Sequence, residues 1–79
     1  MIGAGIHNGD LLIVDRSLEP KSGRVVVAAL NDELTVKRLH KRGGTITLKA
    51  ENPAYPDIPV KDGHELRICG VVAYVVHVP

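Results

Sequence analysis

Phenylalanine and tryptophan are absent from this chain of 79 residues, and Tyr55 and Tyr74 are its only large aromatics. Any core must therefore be built from aliphatic side chains. Cys69 is the only cysteine. That excludes an intrachain disulfide and fits a cytosolic setting. A small buried apolar residue is the default role for it, ahead of a reactive thiol. No stretch approaches the ~18 consecutive apolar residues that span a bilayer. The glycine-rich start lacks the basic beginning and apolar run of a signal peptide. An excess of charge is missing too. Ten basic residues face nine acidic ones, for a formal net charge of +1. Such a balance gives no electrostatic case for direct, sequence-independent binding of nucleic acid.

What is present is a hydrophobic content of 44%. That is enough for a core and too much for a disordered tail. The chain reads as one small domain over residues 1–79. A chain this short buries only about 60% of its unfolded surface, so its stability margin is thin.

Short apolar runs alternate with turn signals along the chain. Met1 to Ile6 reads as a loop, and His7-Asn8-Gly9-Asp10 as a turn. Leu11 to Val14 is apolar on both faces, which predicts a central strand or one covered on both sides. Glu19 to Gly23 makes a second turn. Arg24 to Leu30 is a strand, and Asn31-Asp32 connects it tightly to the next, as in an antiparallel hairpin. Thr45 to Lys49 alternates polar and apolar, with Ile46 and Leu48 facing inward. Pro53, Pro56 and Pro59 forbid a helix or a central strand between Ala50 and Val60. We read an ordered loop there, pinned by Tyr55, with an edge strand near Ile58 to Val60. Leu66 to Val78 is a long strand with a bulge or bend at Gly70. No segment has a helical period. The expected class is mostly β, with small twisted antiparallel sheets joined by short hairpins.

Candidate chemistry is sparse. His7, His40, His64 and His77 lie in four segments, and no two have metal-ligand spacing on one element, so no metal or cofactor is expected. Gly3-Ala4-Gly5 lacks the strand and helix that a dinucleotide fingerprint needs. Asp10 and Asp15 flank a strand, where turn and capping roles are the default. The exception is Glu33-Leu34-Thr35-Val36-Lys37-Arg38-Leu39, a strand between two turns. Alternation puts Thr35, Lys37 and Leu39 on one face. A lysine in mid-strand beside an apolar neighbour has two readings. Its stem can pack while the ammonium stays in water. Or it can be desolvated, lose its proton and act as a base. A free lysine has a pKa near ~10.4. A base working at neutral pH needs one of roughly 7–8, and full burial can supply a shift of that size.

Three segments, in order, carry a resemblance: Gly9 to Asp15, Gly23 to Ala28 and Glu33 to Leu39. With Glu51-Asn52-Pro53-Ala54-Tyr55-Pro56 and the closing Gly70-Val71-Val72, they resemble the C-terminal peptidase domain of the LexA and UmuD group. The Asn-Pro-Ala-Tyr segment and the Val-Val-His ending look more similar to UmuD than to LexA. The resemblance implies a self-cleaving serine peptidase on a mostly β fold, in which a neutral lysine activates the serine. The lysine of the family's Thr-Val-Lys motif falls on Lys37. The family serine belongs to a Ser-Met pair whose methionine matches Met1, so the serine would stand one place earlier. Ser17 and Ser22 lie in turns on the wrong side of the first strand.

A lysine base with no alcohol to deprotonate has no covalent step to support. The expectation is a chain that does not cleave peptides as it stands, being a fragment or a reading frame begun at an internal methionine. A missing upstream segment would leave a sheet edge open. Self-association is expected to cover it, and the resemblance also implies a homodimer; the long final strand is either its contact or ordinary sheet packing inside one subunit. The first functional reading is a UmuD-like subunit of the SOS response. The resemblance implies as its partners the RecA filament and the catalytic subunit of an error-prone DNA polymerase. The second is the peptidase domain of a LexA-like repressor, with its DNA-binding domain upstream. The third is a small all-β interaction module of no peptidase ancestry. In every case a cytoplasmic protein is expected.

Overall fold

The structure is a computed structural model that describes all 79 residues, Met1–Pro79. Six strands form one antiparallel sheet: β1 (Leu11–Asp15), β2 (Val25–Leu30), β3 (Glu33–Arg42), β4 (Thr45–Lys49), β5 (Ile58–Val60) and β6 (Leu66–Val76). Their spatial order is β1-β6-β2-β3-β4-β5. The last strand thus returns to sit between the first and the second. The mostly β class is as expected, in a single sheet. Ile2–Ala4 forms one short 3₁₀ turn where a loop was expected.

The β2–β3 connection shows how the sequence sets the register. Asn31 and Asp32 both take positive φ, 50° and 66°. Two such residues in a two-residue hairpin make a type I′ turn, whose twist matches that of the strands. Asn and Asp tolerate this region better than other non-glycine residues. Asn31 adds a tie to the far strand. Its Oδ1 accepts from Glu65 N at 2.9 Å, and its own N donates to Glu65 O at 2.9 Å. The hairpin then pairs Val26 with Lys37, Ala28 with Thr35 and Leu30 with Glu33.

One face of the sheet carries the core. Val26, Ala28, Leu39, Leu48 and Val71 are buried and touch one another. Leu18, Ile46, Ile58 and Ile68 close over them. The sheet has to curl to enclose so small a cluster, and β6 supplies two irregularities. Its register slips between Ile68 and Gly70 against β2, and between Val72 and Tyr74 against β1. Bulges of this kind bend a strand and increase its twist. Gly70 lies between them, and a side chain there would run into Val14. The bend expected at Gly70 is therefore two bulges flanking a close approach.

Three expectations are corrected. The long final strand is not a free edge for a dimer contact, because β6 is hydrogen-bonded to β1 on one side and β2 on the other. Leu11–Asp15 is an outer strand, hydrogen-bonded only to β6. Leu11, Ile13 and Val14 are exposed. An apolar run shows only that something covers it, and within this chain Val14 reaches over Gly70 while Leu11 and Ile13 are left about half exposed. The Ala50–Val60 loop is ordered, but Tyr55 does not pin it, since the residue is 65% exposed. Backbone ties hold the loop instead. Asn52 accepts from Ala54 N through Oδ1 and from Tyr55 N through its carbonyl. Asp57 Oδ1 accepts from Ala50 N, and Glu51 O accepts from Gly3 N at 2.7 Å.

Candidate functional site

Lys37 lies in the middle of β3, on the core-facing side. Its cross-strand partner is Val26, which is fully buried, and its neighbour two residues on is Leu39, also buried. Lys37 itself is half-buried. The side chain folds back along its own strand. Nζ donates to Thr35 Oγ1 at 2.6 Å and to Val36 O at 3.3 Å. No carboxylate comes within ion-pair distance of it. The stem therefore rests on apolar surface, while the ammonium has a hydroxyl and a carbonyl as partners. Thr35 is a site residue that the sequence placed on the right face without assigning it a bond. The signal was there, because residues two apart on a strand share a side.

The next residue, Arg38, points to the opposite face and organises the loop beside the lysine strand. Nε donates to Glu51 Oε1 at 2.7 Å, and Nη1 donates to Gly23 O at 2.6 Å. Glu51 takes a positive φ of 54° and receives Gly3 N on its carbonyl. Gly3 is required there, because a Cβ would press onto that carbonyl oxygen. By this chain of contacts the first residues are strapped to β3. Met1 and Val36 line one hollow with Asn52 and Tyr55. The start of the chain thus lies beside β3 at Val36, whose side chain leaves the face opposite Lys37, and Lys37 does not line this hollow.

The two serines are committed elsewhere. Ser17 Oγ donates to Asp15 Oδ1 at 2.6 Å, and Ser22 Oγ accepts from Lys41 N at 3.0 Å. Ser17 Oγ and N, together with the N–H of Leu18, hold the Asp15 carboxyl below its ordinary value, against a smaller opposing effect of desolvation. Neither hydroxyl is a partner of Lys37.

The structure also gathers what the sequence left scattered. Asp10 Oδ2 accepts from His7 N at 2.8 Å and lies 2.8 Å from His77 Nδ1. The two imidazoles meet with centroids 5.3 Å apart. The His7 N–H is the largest influence holding the Asp10 carboxyl below its ordinary value. Desolvation opposes it, and His77 adds to it through its hydrogen bond and its charge. Seventy positions separate the two histidines in sequence. Only the return of β6 beside β1 brings them together.

The Peptidase S24-like family model matches residues 1–73. The LexA repressor of Cupriavidus taiwanensis is 47% identical over 76 residues, which cover 96% of this chain and 35% of that protein. The LexA repressor of Paracidovorax citrulli is 45% identical over 76 residues, with 96% and 34% covered. That of Cupriavidus pinatubonensis is 52% identical over 65 residues, with 82% and 30% covered. The chain spans about a third of the length of these curated relatives.

These relatives overturn the mutagenesis-subunit reading and, with it, the polymerase as partner. They are repressors, matched across nearly the whole chain. The Asn-Pro-Ala-Tyr segment that suggested the other branch is a turn closed by Asn52 and kept extended by prolines. Its residues answer to backbone geometry, and such a turn does not discriminate between partners. The chain belongs to the Peptidase S24-like family, which its lysine strand had already suggested.

Proposed function

We propose that this chain is the self-cleavage and dimerisation domain of a LexA-like repressor, with Lys37 as its general base. The observation that carries this reading is the placement of Lys37. It is a half-buried amine in mid-strand, without a carboxylate partner, its Nζ held by Thr35 Oγ1 and Val36 O. The match to LexA repressors over 96% of the chain supports the choice of branch.

In this reading a serine directly before Met1 presents its hydroxyl to the Lys37 amine. The neutral amine takes the hydroxyl proton while Oγ attacks the carbonyl of a cleavage segment. The resulting ammonium then returns a proton to the departing amine. Thr35 Oγ1 and Val36 O hold Nζ in place, so little orientation remains to be fixed during the step. Residues 1–79 form one domain of a longer polypeptide, with the cleavage segment and a DNA-binding domain on the upstream side. Two copies associate, and the open edge at β1 with exposed Leu11, Ile13 and Tyr74 supports this. The RecA filament stimulates the cleavage.

The test is a polypeptide that joins the upstream LexA-like sequence, with serine before Met1, to these residues. Incubation with RecA, single-stranded DNA and ATP should convert it to two fragments, with the cut upstream of the serine. An intact band under conditions in which a LexA control is cut would refute the reading.

A further inference from the structure

The chain-wide charge balance hides a segregation. Five of the ten basic residues, Lys37, Arg38, Lys41, Arg42 and Lys49, fall between Glu33 and Glu51, a stretch with no Asp or Glu. The β3–β4 hairpin then sorts them by face. Arg38 pairs with Lys49, His40 with Thr47 and Arg42 with Thr45. Directly paired residues share a side, so all six stand together on the outer face, opposite Leu39 and Leu48. Arg38 is held by Glu51 and Gly23. Arg42 and Lys49 make no ion pair, and the hydroxyls of Thr45 and Thr47 make no bond within the chain. Two acids share a hollow with Lys49: Glu51, which pairs with Arg38, and Asp57, which accepts from Ala50 N.

We infer that this outer face of the β3–β4 hairpin binds the phosphodiester backbone of nucleic acid, weakly and without reading its sequence. Cationic heads interleaved with threonine hydroxyls are the donor types that contact phosphate oxygens. The six paired residues include no Tyr and no aliphatic side chain, and the exposed Tyr55 stands only at the Lys49 end. A surface built for a folded protein partner would present one. The pairing places donors two by two along the strands, so that a flexible polyanion meets them in succession. The inference is independent of the role of Lys37.

The experiment is fluorescence anisotropy of a labelled random-sequence DNA duplex with the whole chain, titrated at several salt concentrations. Arg42 and Lys49 make two phosphate contacts, so log affinity should fall against log salt with a slope of about −1.8. The double variant R42E/K49E should bind at least about tenfold more weakly and lose most of that slope. R16E/R67E changes the charge equally at the β1–β6 side of the sheet and should bind as the parent does. Circular dichroism checks that both variants fold. Equal weakening by the two variants would reduce the effect to net charge and overturn the inference. So would parental affinity in R42E/K49E. Absence of DNA binding, with binding of polyglutamate, would assign the face to an acidic protein and overturn it as well.

Discussion

Lys37 Nζ and Thr35 Oγ1 are 2.6 Å apart, on side chains that leave the same face of β3. The bond joins two residues of one strand, so it survives any movement that leaves β3 intact. The amine is thereby fixed relative to the backbone before any substrate arrives. Such prior positioning is the main contribution a protein can make to a proton transfer whose partners are otherwise ordinary.

Thr35→Val removes the acceptor and keeps the shape. Stability in urea should fall by about 1 kcal/mol, the net worth of a part-buried hydrogen bond. In the serine-bearing polypeptide, intrinsic self-cleavage should slow by about tenfold or more, because the amine is no longer aimed. A cleavage rate equal to that of the parent would show that Thr35 does not position the lysine.

The approach of β1 to β6 at Gly70 has its own test. Gly70→Ala places a methyl against the Val14 side chain, which already fills that space. Overpacking of this kind costs about 1–3 kcal/mol. Val14→Ala in the same chain clears the room. The double variant should therefore unfold at a higher urea concentration than Gly70→Ala alone. If the two single effects simply add, the contact is not what makes glycine necessary.

Asp10 predicts a pH dependence. Its carboxyl is held below the ordinary value of 3.8, first by the His7 N–H and further by His77. A carboxyl whose pKa is lowered by folding stabilises the fold fully above its unfolded value. That stabilisation is lost as pH falls through the lowered one. Asp10→Asn should therefore be less stable than the parent at neutral pH, and the two should converge in the acid range below 3.8. Urea melts followed by circular dichroism at a series of pH values measure this. A stability difference that persists unchanged into strong acid would mean that the carboxylate charge is not what matters.

Much of the sheet is visible in the sequence because its signals are local. Asn31-Asp32 marks the hairpin, and the alternation in Thr45–Lys49 turns Leu48 inward. Lys37 stands out for the same reason, since a cation in an apolar strand is a local anomaly. What escapes a linear reading is set by pairing across long separations. The outer position of β1 depends on β6 returning beside it, and an apolar run cannot say which neighbour will cover it. The Asp10–His7–His77 cluster depends on the same return. The cationic face of β3–β4 is hidden in a net charge of +1, because charge totals ignore which side of a strand a residue faces.

The central claim is that the Lys37 amine takes the proton from the attacking hydroxyl. The most direct measurement is the rate of intrinsic self-cleavage, without RecA, of the serine-bearing polypeptide and its Lys37→Ala form. Cleavage in the parent and none detectable in Lys37→Ala, with both proteins folded by circular dichroism, is the predicted result. Equal rates in the two would contradict the account.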